Sequence, residues 1–208
     1  MKGDETEALR ARLDDLARRA GRLWTPLCSR FLTQEERSLA QRCARENGVL
    51  AAFDGGWEGA ERSQCCFYPD GLEPDFTGVW LEVSWNAKFA AVDHRALLGS
   101  VMALGMDRSL LGDMVIEGDH AYIRAVPELA ARLPQELTRV GSATVKVRER
   151  SEPPAITPPK GTELRDTVAS LRLDSVLSSG MKTSRAKATE WIRQGAVQVN
   201  HTATERID

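Results

Sequence analysis

Four prolines fall within ten residues at Glu152-Pro153-Pro154-Ala155-Ile156-Thr157-Pro158-Pro159-Lys160-Gly161. Proline fixes φ and removes the backbone donor, so such a stretch joins neither a helix interior nor the middle of a sheet. It reads as an extended, fairly stiff linker over 151–161 that cuts the chain into a long N-terminal part and a short C-terminal module. The 208 residues leave room for one large domain or two to three small ones.

In residues 1–76 the pattern is helical first. Leu9, Leu13, Leu16, Ala20 and Leu23 recur at three- and four-residue spacing, which makes one apolar stripe, and Pro26 ends that helix. Thr33-Gln34-Glu35-Glu36 is a capping box for a second helix, which stops at Asn47-Gly48. Val49–Phe53 reads as a short buried strand closed by Asp54-Gly55-Gly56. Together these make an N-terminal helical, mixed α and β region.

From Val79 the period changes to two. Val79, Leu81, Val83 and Trp85 alternate with Trp80, Glu82 and Ser84, a strand on which Trp80 points to the opposite, exposed face. Asp93 caps a helix carrying Leu97, Leu98, Val101 and Leu104. Asp113–Glu117 and His120–Val126 form a hairpin about Gly118-Asp119, Pro127 starts a helix faced by Leu129, Leu133 and Leu137, and Ala143–Arg148 is a last strand. The order βαββαβ over 77–150 predicts a ferredoxin-like sandwich, the layout also used by RNA-recognition modules, within an α+β protein. That layout alone does not decide function.

Beyond the linker, 162–208 reads as a separate module. Leu164–Val168 is a strand leading in, followed by helical patterns at Leu171–Leu177 and Ser184–Gln194, then Gly195 and a strand over Ala196–Asn200. Ser184 suits the N-cap, which leaves Arg185 and Lys187 in the first turn, with Lys187 on a different face from Ala188, Trp191 and Ile192. Net charge is −2, but Arg172, Lys182, Arg185, Lys187 and Arg193 outnumber Asp174 and Glu190, so 172–200 is a basic island on an acidic body. Such an island suits one localised anionic partner, and unpaired first-turn amides beside basic side chains suit phosphate. Solvated charges on an ordinary helical hairpin are the other reading of the same spacing.

Composition excludes several classes. No apolar run approaches the ~18–20 residues that cross a bilayer. The start, MKGDETEALRARLDDLARRAGRLW, lacks the apolar core of a secretory signal, so a cytoplasmic protein without a membrane partner is expected. Cys28, Cys43, Cys65 and Cys66 lack the paired spacing of a zinc site, so reduced thiols and no metal are expected.

Arg172-Leu173-Asp174, Thr183-Ser184-Arg185-Ala186-Lys187-Ala188, Ile192, Gly195, Val197 and Val199-Asn200 resemble the S4-type RNA-binding domain. That resemblance implies an RNA surface of Arg172, Lys182, Thr183, Ser184, Arg185, Lys187, Arg193 and Asn200, with Gly195 and Val197 in its support. The chain stops at Glu205-Arg206-Ile207-Asp208, short of the closing strands expected of such a module. Upstream, Phe53-Asp54-Gly55-Gly56-Trp57, Ala60-Glu61-Arg62, His94-Arg95-Ala96-Leu97-Leu98-Gly99, Leu104-Gly105 and Leu111-Gly112-Asp113 look like the bacterial YlmH family, with Ala96 in place of an acidic residue. This second resemblance spans nearly the whole chain. It implies a monomeric, ribosome-associated protein without cofactor that meets ribosomal RNA, the large subunit and peptidyl-tRNA when nascent chains stall.

S4-type modules also sit on RNA-modifying enzymes. No pseudouridine-synthase aspartate context, methyltransferase glycine loop or synthetase signature is present, and no catalytic residue is assigned. His94, Asp107, Arg108 and Asp113 form the one set that could converge as an acid/base cluster, with capping or polar pairing as the structural alternative. Glu61-Arg62 reads as an internal ion pair. An enzyme built on that corner and a protein adaptor built on the basic island are the competing readings.

Overall fold

The computed structural model describes residues 2–88, 90–156, 163–199 and 202–207. They divide into two compact units, 1–158 and 159–208, with the boundary inside the proline-rich stretch.

The first unit opens with α1 (Lys2–Leu23), β1 (Leu27–Leu32), α2 (Gln34–Glu46), β2 (Leu50–Asp54) and β3 (Ser63–Tyr68). Leu13, Ala17 and Ala20 of α1 pack with Leu39, Ala40 and Cys43 of α2 over Cys65 and Phe67. The capping box at Thr33 forms in full: its hydroxyl accepts from Glu36 N and its own amide donates to the Glu36 carboxylate at 2.7 Å. At the other end Gly48 takes φ +66° and Val49 N donates to Ala44 O, the crossed pattern that closes a helix on a left-handed residue.

Residues 1–76 hold more strand than their pattern predicts. The antiparallel sheet runs β1-β3-β2, and neither β1 nor β3 was expected. The strand expected at Val49–Phe53 is β2, an edge strand that is half-buried rather than buried. Cys28 faces Cys66 across β1 and β3, and all four cysteines are free thiols.

Next come β4 (Val79–Trp85), α3 (His94–Ala103), a short 3-10 turn (Arg108–Leu110), β5 (Leu111–Glu117), β6 (His120–Ala125), α4 (Pro127–Glu136), β7 (Arg139–Val140) and β8 (Ala143–Arg150). The sheet order is β5-β6-β4-β8-β7 with every pair antiparallel. Counting only β4, β5, β6 and β8, that is the 2-3-1-4 order of a ferredoxin-like sandwich. Asp93 caps α3 through Ala96 N at 2.7 Å, and Pro127 opens α4. Leu81, Val83, Ile123 and Val145 form a buried core with Leu97, Val101, Leu129 and Leu133 of the two helices.

The opposite face of this sheet departs from expectation. Trp80 does point away from Leu81, yet it is only 3% exposed. Arg124 lies over its ring at 5.4 Å and reaches Asp54 at 3.2 Å. A Cβ on Gly56, which has φ +91°, would meet Trp80 at 2.8 Å and Arg124 at 2.9 Å. The Asp54-Gly55-Gly56 turn therefore closes this end of the sheet, and Trp80 offers no face to a base.

The second unit contains α5 (Leu173–Gly180), α6 (Arg185–Arg193), β9 (Gln198–Val199) and β10 (Thr202–Ala203), the last two pairing antiparallel. Ala188, Ile192 and Val197 are buried in it. Gly195 at φ +68° ends α6, with Gly195 N to Ile192 O and Ala196 N to Trp191 O. Leu164–Val168 is not a strand: Leu164 is exposed and the segment is irregular, with Asp166 accepting from Ser179 Oγ. Hydrophobic and β-branched residues there have no neighbouring strand among the described residues.

Candidate nucleic-acid interface

Two arginines of the second unit, Arg172 and Arg185, share one carboxylate. Asp174, in the first turn of α5, has a side chain only 7% exposed. Arg172, the residue capping α5, donates Nε–H to it at 3.2 Å, and Arg185 at the start of α6 donates from Nη2 at 2.9 Å. Burial raises the Asp174 pKa, but the Arg185 and Arg172 guanidiniums outweigh it and hold the carboxyl below the usual carboxylate range. Both arginines remain about half exposed. A guanidinium has five N–H donors, so donors are left on each for an outside anion.

The turn between α5 and α6 supplies the rest. Thr183 N donates to Ser178 O, and Lys182, exposed, adopts a left-handed φ of +48° that swings the chain into α6. Ser184 is the N-cap, its hydroxyl accepting from Lys187 N at 3.2 Å. Helices favour acidic residues at this positive end, yet the first turn of α6 has none and carries Arg185 and Lys187. The helix gains nothing from that placement, whereas a bound anion does.

Lys187 is not isolated on its own face. Its ammonium sits 5.5 Å from the Trp191 ring, one turn on, while Ala188 and Ile192 turn inward. Arg193, exposed, closes the same helix, ~12 Å along its axis from Arg185, so it is not part of the cluster. Asn200 lies outside the described residues. Asp174 is the member that sequence reasoning left out of the site.

In the His94–Asp113 corner Arg108 lies within electrostatic reach of Asp113 and Arg62, but His94, Asp107, Arg108 and Asp113 make no hydrogen bond to one another among the described residues. Asp113 accepts the Glu61 and Arg62 amides at 2.8 and 3.1 Å. Arg62 reaches Phe31 O and Leu111 O rather than Glu61, so the expected Glu61–Arg62 ion pair does not form. Asp107 caps the 3-10 turn through Ser109, and Arg108 donates to Leu111 O and Gly112 O. His94 begins α3 and has no polar partner among the described residues. No group of three or more His, Cys, Asp or Glu able to hold a metal occurs among the described residues, and no helix there is long and apolar enough to cross a membrane.

Two family models match. Residues 72–152 match one described as "Putative RNA-binding domain in YlmH", and residues 171–204 match the S4 domain. Over 179 residues the chain is 32% identical to "Ribosome-associated protein quality control protein P2" of Bacillus subtilis (strain 168), spanning 84% of this chain and 70% of that protein. The chain belongs to the YlmH family. The solved "Cell division protein ylmH from Streptococcus pneumoniae" shares the fold with TM-score 0.57 at 22% identity, covering 70% of this chain and 91% of that one. In this YlmH-family chain the first model spans the sandwich from β4 to β8, and the second spans α5, α6 and the basic cluster.

Proposed function

We propose that this chain is a non-enzymatic, monomeric RNA-binding protein of the cytoplasm that docks on ribosomal RNA of the large subunit through residues 162–208. It would assist translation, or the rescue of stalled ribosomes, beside peptidyl-tRNA. The observation that carries this reading is the cationic start of α6. Arg185 and Lys187 sit where the helix itself favours acid, and the buried Asp174 carboxylate ties Arg185 to Arg172. Arg172, Ser184, Arg185 and Lys187 would recognise phosphate and shape, with Lys182 and Thr183 in the adjoining turn and Arg193 and Asn200 as outlying contacts. The name of the Bacillus subtilis relative supports the ribosome as the setting.

The α/β body would position a second contact with RNA or protein. The scattered partners of His94, Asp107, Arg108 and Asp113 favour this over an RNA-modifying activity.

Filter binding of the full chain to purified large-subunit ribosomal RNA, across a salt series, tests the reading. Arg185→Ala/Lys187→Ala is expected to weaken binding tenfold or more and to flatten the salt slope by ~1.5, from the loss of two phosphate contacts. Unchanged affinity and slope in a folded variant would remove the assignment.

A further inference from the structure

The four cysteines of the first unit divide into two chemically different pairs. Cys43 and Cys65 are fully buried in the apolar core under α1 and α2. Burial pushes both thiols up, Cys65 to about 12, so neither forms a thiolate near neutral pH. Cys66 follows Cys65 on β3 and therefore points to the opposite face of the sheet. Cys28 of β1 is its register partner, so both side chains stand on that face. Directly opposed residues of an antiparallel pair have Cα atoms about 4.5–5.5 Å apart, inside the span of roughly 4.4–6.8 Å that a disulfide bridges.

The segment after β3 holds the two sulfurs together. Cys28 Sγ donates to Asp75 O at 3.0 Å, and Cys66 Sγ donates to the same oxygen at 3.8 Å. Thr77 Oγ1 accepts from the Gln64 side-chain amide at 3.2 Å, which leaves its own proton to turn toward Cys28. The hydrogen bond between the thiols pushes Cys28 up and pulls Cys66 down. The pair therefore holds one proton tightly and releases the other below the ordinary thiol range. Cys66 is closed to solvent, whereas Cys28 is half-buried and Asp75 and Thr77 are exposed. Cys28 is the sulfur that a small molecule reaches.

We propose that Cys28 and Cys66 form an oxidative modification site, whose co-substrate is a small peroxide and whose product is a disulfide between β1 and β3. The pair first loses one proton to solvent. The other passes along the contact between the sulfurs, and when it rests on Cys66, Cys28 is the thiolate. With hydrogen peroxide, that thiolate attacks one oxygen, the O–O bond breaks, and the departing hydroxide takes a proton from solvent to become water. The Cys66 sulfur then attacks the Cys28 sulfenic sulfur. The S–S bond forms, the S–O bond breaks, and the Cys66 proton leaves with that oxygen as a second water. Two thiols lose two electrons and one peroxide gains them. This chemistry is independent of RNA binding.

The test treats the reduced full chain, freed of reductant, with a small excess of hydrogen peroxide at neutral pH, then alkylates it in denaturant and digests it with trypsin. Two of the four thiols are expected to disappear, with a mass loss of about 2 Da, and to return on reduction. The digest is expected to hold one linked pair, residues 23–30 with 63–88, whose fragmentation places the bond on Cys66 rather than Cys65. Cys28→Ser is expected to slow thiol loss on the order of tenfold and to give no linked pair, while Cys43→Ala keeps the parental rate and linkage. Four free thiols in the treated parent, a bond through Cys43 or Cys65, or Cys28 passing to sulfinic acid without a bond would overturn the proposal. So would thiol loss at the parental rate in folded Cys28→Ser.

Discussion

Arg185 Nη2 lies 2.9 Å from a carboxylate oxygen of Asp174, so one side chain both ties α6 to α5 and faces solvent beside the positive end of its helix. Arg172 shares the same carboxylate. The tie limits the rotamers of two long side chains before any ligand arrives, which lowers the ordering cost of binding.

Asp174→Asn separates positioning from charge. The substitution adds one unit of positive charge, so attraction to a polyanion by net charge alone would tighten binding. The positioning account gives the opposite sign: RNA affinity falls on the order of three- to tenfold because both arginines lose their anchor. Filter binding at fixed salt decides between the two signs.

Ser184→Ala removes the hydroxyl that accepts from Lys187 N. Loss of an N-cap costs about 1 kcal/mol, so the second unit should melt earlier in a thermal scan. The cations remain, so the salt slope of RNA binding should stay at its parental value.

Arg124→Ala should destabilise the first unit by about 2–3 kcal/mol in denaturant unfolding, because Asp54 loses its partner and Trp80 loses the group packed on its ring. Gly56→Ala should destabilise as well, since its φ is +91° and a Cβ would press on Trp80 and Arg124. RNA binding through α6 should survive both changes under folding conditions.

Acid should loosen the arginine–carboxylate clusters centred on Glu82 and on Asp174. Burial raises the Glu82 pKa, yet the Arg150 and Arg148 guanidiniums, helped by His120, bring it below the usual carboxylate range. A group depressed on folding stabilises above its unfolded pKa, and that stabilisation is lost as pH falls through the folded value. For Glu82 and Asp174 alike, the loss is expected below about pH 4. Melting curves of Glu82→Gln and the parent should therefore converge in acid and differ at neutral pH.

Much of the sandwich was legible in the sequence because its strands alternate in residue type and its helices are announced. β4 alternates, Asp93 caps α3, and Pro127 begins α4. The first sheet was not legible. β3 lies between two partners and is buried on both faces, so Ser63-Gln64-Cys65-Cys66 shows no alternation, and Gln64 is satisfied by Ser29 O and Thr77 Oγ1. Trp80 was misread for a related reason: period two sets which face a residue occupies, not whether another segment covers that face.

For the candidate site, the cations and the Ser184 cap were readable from residue type and helix position. The carboxylates beneath them were not. Asp174 reaches partners two residues before it and eleven after it, and Glu82 reaches across the sheet to β8, separations without any periodic signal. Lys187, expected on a different face from Trp191, stands four residues before it and so lies on its ring.

Sedimentation of the tagged full chain from cell lysate through a sucrose gradient, beside Arg185→Ala/Lys187→Ala, tests the central claim most directly. The account predicts comigration with large ribosomal subunits that is lost in the variant and at high salt. Parent and variant comigrating equally, or both remaining at the top of the gradient, would contradict it.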